Sequence, residues 1–489
     1  MLGPLVGIFL ISALLLVHGH TQRIPLASEA PLDVDRGMPL PWAGQASTVF
    51  SLTALFGAYL AIFEVLGLAA ILGVVLGSVA GLFLIRHACI EANQPSFELL
   101  LLSRRFAHRK IHNTLLWWLL AAIQIGFATS ELVIMREVAI RGFGMLPKHA
   151  TVFVFAVALI GYFYCLVGGW AAVFRTDIVQ LLLMVAMFVA IGGILLFHQY
   201  ATGAPIHFTN YSARLSGTGP LRLAFSDLQK LPLVRSALNA FVGFGMGFGL
   251  LACSPDTWKR VYVSTFHAQQ RRFLFQKLLF SGILPFLLLL PVAMIPSRPT
   301  ASSIPDPIAT IFSAQGGQII LGITLLGMIS CFLSAFDSAL ITAAQIILVR
   351  PYRSTHAEGN SLSNYQFILG CIFLCIFLFT MVAITGIPNP YFLALVLLGP
   401  YAVLAGLIIG TRGLTRPFEG GEFPWAATLA ISLWIIYVVN IPNAITTPSY
   451  EQVFAAPIGV ILFVLFLLST MIASHTSHKR TGQSNGNDH

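Results

Sequence analysis

The sequence predicts an all-α protein that crosses a membrane about thirteen times. Of its 489 residues, 57% are hydrophobic and only 9% are charged, whereas a soluble domain carries about 25% charged residues. Apolar runs of about 18 residues or more recur along the chain, and each is long enough to span a bilayer as a helix. Lipid offers no partners for exposed backbone groups, so every span should be helical.

The apolar runs also place the individual helices. The first run lacks a basic leading segment, so an N-terminal anchor helix is expected, with a cleaved signal peptide as the alternative. The anchor and the loop after it would occupy residues 1–45, and the polar stretch 475–489 a disordered tail. The predicted helices lie at 3–18, 46–66, 68–87, 112–135, 151–171, 176–199, 232–253, 272–296, 317–348, 365–386, 390–411, 424–441 and 452–474.

The basic residues predict the orientation. With the N-terminus outside, 19 of the 27 lysines and arginines face the cytoplasm, as the positive-inside rule requires. The C-terminus is then cytoplasmic, and the membrane is the plasma membrane, which in a bacterium is the inner membrane. Because these residues are dispersed over short loops, the net charge of +9 does not indicate nucleic-acid binding.

Other function classes find little support in the sequence. The six cysteines form no CxxC pair, so neither a disulfide framework nor a zinc site is expected. No phosphate-binding loop of the Walker type, HEXXH or GXSXG motif is present, so an enzyme is not expected. No organic cofactor is indicated.

Charged residues within the apolar runs are the informative exceptions, because an acid in lipid costs roughly 2.5–3.5 kcal/mol even on insertion scales. Arg175 and Asp177 stand at the start of the predicted helix 176–199. A local interpretation places Asp177 in the first turn, where the helix dipole stabilises it by about 0.3–1 kcal/mol. Glu131 lies five residues before Arg136, which favours an interfacial or pairing role for both.

Four stretches resemble landmarks of the solute:sodium symporter family. GGWAAVFRTDIVQ (168–180) is similar to the family signature GG-x-x-AV-x-x-TD-x-x-Q. The others are RGMPLPW (36–42), SPDTWKRVYVSTFHAQQRRFLF (254–275) and LSAFDSALITAAQIILVRPYR (333–353). They occur in the family order and cover roughly residues 30 to 355.

The resemblance implies a LeuT-like transporter core at 46–411, built from two inverted repeats of five helices at about 46–199 and 232–411, with trailing helices at 412–474. The first helix of each repeat would be broken near the midplane to expose ion-binding backbone groups. The glycines Gly243, Gly245, Gly247 and Gly249 allow such a break, although close helix packing explains them equally well.

The resemblance also implies an ion site. The family's sodium ligands map onto Ser334 and Ala335, with the carbonyl of Cys331 and carbonyls near Ser51 and Ala54. Ala335 departs from the family pattern because it has no hydroxyl, and Na⁺ is a hard cation that needs oxygen ligands.

Asp337 follows Ser334 by three residues, so both lie on one face of a helix. It could compensate as a ligand or carry a proton instead, which leaves Na⁺ and H⁺ open as the coupling ion. The resemblance assigns Asp177, with Arg175, to gating at the inner end of the ion path. Thr53 and Glu64 are weaker candidates for the substrate cavity.

The expected function is therefore uptake of a small solute, coupled to sodium entry by alternating access. A proton-coupled transporter and a membrane sensor that detects a solute without moving it are the alternatives. Sugar, amino acid, carboxylate and vitamin substrates all remain open.

Overall fold

A computed structural model describes residues 68–91, 110–202, 318–348 and 362–386, together with single residues between 233 and 257. We number its helices α1 (Leu68–Glu91), α2 (Lys110–Glu137), α3 (Pro147–Thr202), α4 (Gln318–Leu348) and α5 (Leu362–Gly386). A short π-helical turn, Val138–Gly142, extends α2. The described part of the chain contains no strand. Three of its helical stretches are long and apolar enough to cross a membrane, namely Pro147–Trp170, Leu321–Leu348 and Asn364–Thr385.

The long helix α3 consists of two limbs joined at Gly169. This glycine has φ 53° and ψ −147°, a conformation that side chains with a Cβ rarely adopt. We call residues 147–168 the first limb and residues 170–202 the second limb. The sequence predicted two helices here, at 151–171 and 176–199, and the structure has two limbs, but the break lies at Gly169 and not at 172–175, where the residues are helical. Asp177 is therefore two turns into the second limb, so the first-turn interpretation of this acid is wrong.

Helix α4 forms the centre of the described bundle. It packs against α2, both parts of α3 and α5. From Leu325 to Leu348 nearly every side chain is buried. The first limb and α5, by contrast, expose large apolar side chains such as Val152, Phe163, Phe367 and Val382. An apolar outer surface of this kind suits contact with lipid, so α4 is the helix most thoroughly removed from the bilayer.

Glycines set the spacing between α1 and the helical residues that the structure describes between positions 240 and 248. A Cβ on Gly73 would meet the carbonyl of Ala240, and a Cβ on Gly77 would meet that of Phe244. In return, a Cβ on Gly243 would meet the carbonyl of Ala70, and one on Gly247 that of Val74. Glycine pairs four residues apart thus let two backbones touch, which favours the packing interpretation of Gly243 and Gly247.

Aromatic side chains join the first limb to α5. The rings of Phe155 and Phe377 lie 4.5 Å apart, and those of Tyr162 and Phe373 lie 4.8 Å apart. The Tyr365 hydroxyl donates a 2.9 Å hydrogen bond to the carbonyl of Cys165. The polar group of a buried tyrosine is therefore satisfied while its ring fills the helix interface.

Candidate functional site

Asp177 and Ser334 meet in the interior of the bundle, although 157 residues separate them in the chain. The Ser334 hydroxyl donates a 3.0 Å hydrogen bond to Oδ1 of Asp177. Both side chains are buried, with 3% and 1% of their surface exposed. Ser334 lies near the middle of α4. The contact therefore brings a predicted gating residue and a predicted ion ligand into one buried polar site.

The hydrogen bond of Ser334 differs from those of the neighbouring buried hydroxyls. Most of these donate to a carbonyl three or four residues earlier in their own helix, which satisfies the hydroxyl without a partner from another helix. Ser334 instead reaches across to another helix. The hydroxyls that bond within their own helix are those of Thr129, Ser130, Thr176 and Ser330.

A second cross-helix bond lies nearer the end of α4. Trp170 Nε1 donates to Oε1 of Gln345 at 3.0 Å, and both residues are buried. Seven residues of helix separate Trp170 from Asp177, which is about 10 Å along the axis. Only 1% of Trp170 is exposed, so its indole ring lies inside the bundle.

These contacts show that the second limb and α4 run antiparallel. Trp170 pairs with Gln345, and Asp177 pairs with Ser334. Farther along, Gly327 lies so close to Met187 that a Cβ would overlap its side chain. Glycine therefore permits the helices to approach each other just beyond the polar pair.

Asp337 is completely buried and lies one turn after Ser334. Neither of its carboxyl oxygens has a hydrogen-bond partner among the described residues. The sequence of α4 contains no lysine or arginine that could pair with it. A buried carboxyl without a partner is costly, so the group calls for a functional explanation.

The other predicted ligands on α4 are also buried, but they differ in chemistry. Cys331 is fully buried, and Ala335 is 2% exposed and brings only a methyl group. Glu131 of α2, with no exposed surface, lies within electrostatic range of Cys331. The interfacial alternative for Glu131 is wrong, because this residue has no exposed surface. Arg136 has the pairing role that the sequence suggested, in an ion pair with Glu137 at 2.9 Å.

Sequence reasoning passed over Gln180 and Thr342. Gln180 is 1% exposed, and neither its amide nitrogen nor its amide oxygen has a partner in the described part of the chain. Thr342 of α4 is equally buried, with an unpartnered hydroxyl. A signal was present for Gln180, because it follows Asp177 by three residues and so shares its helix face.

Several predicted site residues lie outside the described part of the structure. Arg175 belongs to the second limb, but its side chain is not among those described. The remaining ones, predicted for the ion site or the substrate cavity, are Ser51, Thr53, Ala54 and Glu64.

The chain shares its fold with a solved membrane protein. It is similar to a Na⁺-coupled sialic acid symporter in its substrate-bound, outward-open state, with a TM-score of 0.64 and 16% identity over 96% of this chain and 98% of that one. A mutant manganese transporter of Eremococcus coleocola aligns over 93% of this chain and 99% of its own, with 12% identity and a TM-score of 0.42. No protein-family model and no curated protein matches the sequence.

Proposed function

We propose that the protein is a secondary active transporter that couples the entry of Na⁺ to the uptake of a small solute by alternating access. The observation that carries this proposal is the buried hydrogen bond between Ser334 and Asp177. It places a carboxylate and a hydroxyl, two hard oxygen donors, at one point inside the bundle. The shared fold with a symporter named as Na⁺-coupled supports the same ion.

A bound cation would neutralise the carboxylate charge that this pair buries. An ionised carboxylate in an apolar interior requires a partner of opposite charge or several hydrogen bonds. A sodium ion between the Asp177 carboxylate and the Ser334 oxygen would neutralise the charge and use both oxygens as ligands. Binding therefore favours the arrangement in which the second limb and α4 stay together.

The same pair explains how a site can work without a hydroxyl at position 335. Asp177 brings a charged oxygen donor from the second limb, where Ala335 of α4 brings none. We propose that the backbone near Cys331, Ser51 and Ala54 completes the ion path and that Arg175 acts with Asp177 at its inner end. Thr53 and Glu64 are proposed for the solute cavity.

Coupling follows from thermodynamic linkage. If sodium favours the conformation that binds solute, then solute must raise the affinity for sodium by the same factor. A ligand changes the balance between inward-open and outward-open states only by its difference in affinity for the two states. The Ser334–Asp177 contact joins two separate helices, so a cation there can bind one arrangement of those helices better than another.

Proton coupling is the second candidate, and Asp337 is the observation that favours it. Both oxygens of this fully buried carboxyl lack a partner among the described residues. A neutral, protonated carboxyl is the less costly form in such surroundings. In this mechanism Asp337 would carry the coupling proton.

Binding measurements on purified protein test the proposal. Thermal stability would be recorded against sodium chloride, with choline chloride as the ionic control. A ligand at 100 times its dissociation constant stabilises the folded state by about 2.7 kcal/mol. We expect a saturable sodium shift that Asp177→Asn and Ser334→Ala abolish. The matched control is Ser330→Ala, because this serine bonds only within its own helix and should leave the shift intact.

The outcome decides between the two ions. A sodium shift that survives in both Asp177→Asn and Ser334→Ala would show that the ion binds elsewhere. No sodium shift at pH 6 or pH 8, with a pH-dependent stability that Asp337→Asn removes, would favour the proton-coupled transporter.

A further inference from the structure

We propose that Gln180 supplies a third ligand, its carboxamide oxygen, to the cation held between Asp177 and Ser334. The inference rests on the proposed function and extends it. Gln180 lies on the second limb, one helical turn beyond Asp177. It would add an uncharged oxygen to a site that has one carboxylate and one hydroxyl.

The burial of Gln180 is the first observation. Only 1% of the residue is exposed, and both polar atoms of its amide are without a partner in the described part of the chain. Buried polar groups in folded proteins are nearly always hydrogen-bonded, and an orphaned amide reduces stability. A cation bound by the amide oxygen would give this buried group a partner.

The direction of Gln180 follows from the packing of the second limb on α4. Asp177 reaches Ser334, and Met187 touches Gly327, so both residues lie on the side that faces α4. Gln180 lies three residues after Asp177 and seven residues before Met187, and these spacings continue a heptad pattern. We call this buried row the seam. Its members are Trp170, Val173, Asp177, Gln180, Met184 and Met187.

Gln180 therefore faces the part of α4 that lies between Gly327 and Ser334. The hydroxyl in that part belongs to Ser330, and its proton is donated to the carbonyl of Leu326. Residues three apart on a helix have Cβ atoms about 5–6 Å apart, so the Gln180 amide and the Asp177 carboxylate can reach one ion.

The chemistry of an amide oxygen fits this role. Hard cations are bound by carboxylate, carbonyl and hydroxyl oxygens. Ala335 leaves the ion site one oxygen short of the pattern that the sequence resemblance implies. Beside the carboxylate of Asp177, Gln180 adds a neutral oxygen and no second negative charge, so the cation and Asp177 still neutralise each other.

The test compares sodium titrations of thermal stability for the wild type, Gln180→Leu and Thr342→Val. Both substitutions remove a buried, unpartnered polar group, and Thr342 is the matched control because it lies on α4, two turns from Ser334. We expect neither change to lower the melting temperature without sodium. Gln180→Leu alone should weaken the sodium affinity, by about tenfold or more.

A sodium midpoint for Gln180→Leu within about twofold of the wild type would overturn the inference while leaving the proposed function intact. If Gln180→Leu does not fold, Gln180→Met takes its place, since it keeps the length of the side chain and loses the oxygen. An equal loss of affinity in Thr342→Val would also contradict the inference, because the effect would then be general. A wild type without any sodium shift would remove both the proposed sodium site and this ligand.

Discussion

The close contact between α1 and residues 240–248 predicts that alanine at Gly77 destabilises the protein. A Cβ at this position would overlap the carbonyl oxygen of Phe244 and approach the amide of Phe248. Both neighbours are backbone atoms, which cannot move aside by rotating a side chain. Overpacking of this kind costs about 1–3 kcal/mol.

Gly193 offers a matched control for this substitution. It is a helical glycine of the second limb, and a Cβ there would meet nothing within 4 Å. Alanine in a helix is more favourable than glycine by about 0.8–1 kcal/mol, and this gain applies to both sites. The difference between Gly77→Ala and Gly193→Ala therefore isolates the overlap and should be about 1–3 kcal/mol.

The assay is thermal unfolding of the purified protein in detergent, followed by loss of helical circular dichroism. We expect Gly193→Ala to melt at or above the wild-type temperature and Gly77→Ala to melt below it. Equal melting temperatures for the two variants would refute the reasoning, because the backbone of α1 would then not touch residues 240–248.

Three further predictions concern single contacts. Trp170→Phe should lower the free energy of unfolding by about 0.6–1.7 kcal/mol, the range for hydrogen bonds between membrane helices. A double-mutant cycle with Gln345→Leu checks the bond, because the same change should then have a smaller effect. Tyr365→Phe should lower the free energy of unfolding by a similar amount, because the bond to the Cys165 carbonyl is lost. An unchanged melting temperature would contradict the contact. Gly169→Ala should lower the free energy of unfolding by about 1–3 kcal/mol through backbone strain, and unchanged melting would argue against a fixed break in α3.

The positions of the helices were accessible from the sequence because the apolar runs are long. The predicted runs 112–135, 317–348 and 365–386 correspond to Lys110–Glu137, Gln318–Leu348 and Leu362–Gly386. Local hydropathy decides where such a helix lies, because the bilayer requires an uninterrupted apolar stretch. The match in these three helices reflects that single physical requirement.

The break in α3 was misplaced for a reason that is not local. The charges of Arg175 and Asp177 suggested a loop, and glycine at position 169 gave only a weak signal. The chain is helical at Asp177, and its carboxyl group accepts a hydrogen bond in the bundle interior from Ser334, 157 residues away. Periodicity in one segment cannot identify a partner from a distant one, so the site itself had to come from the structure or from family resemblance.

Glu131 illustrates the same limit in another helix. Arg136 offered an obvious partner nearby in the sequence, but its guanidinium binds Glu137 and the hydroxyl of Thr151, each at 2.9 Å. Glu131 faces the bundle interior, within electrostatic range of Cys331 on α4. The direction of one side chain around a helix thus decided whether it met the surface or the core.

The composition of the seam supports a functional origin for its polar residues. Val173, Met184 and Met187 fill most of it with apolar volume, which is sufficient to pack two membrane helices. Packing alone would be served equally well by apolar side chains at positions 177 and 180, because replacing buried polar groups by apolar groups of the same shape can be nearly neutral or stabilising. Packing therefore does not require the carboxylate and the amide at these adjacent turns, opposite Ser334 of α4, and this agrees with the proposal that they bind a cation. Buried polar groups that packing does not require are expected where an ion must be bound and then released.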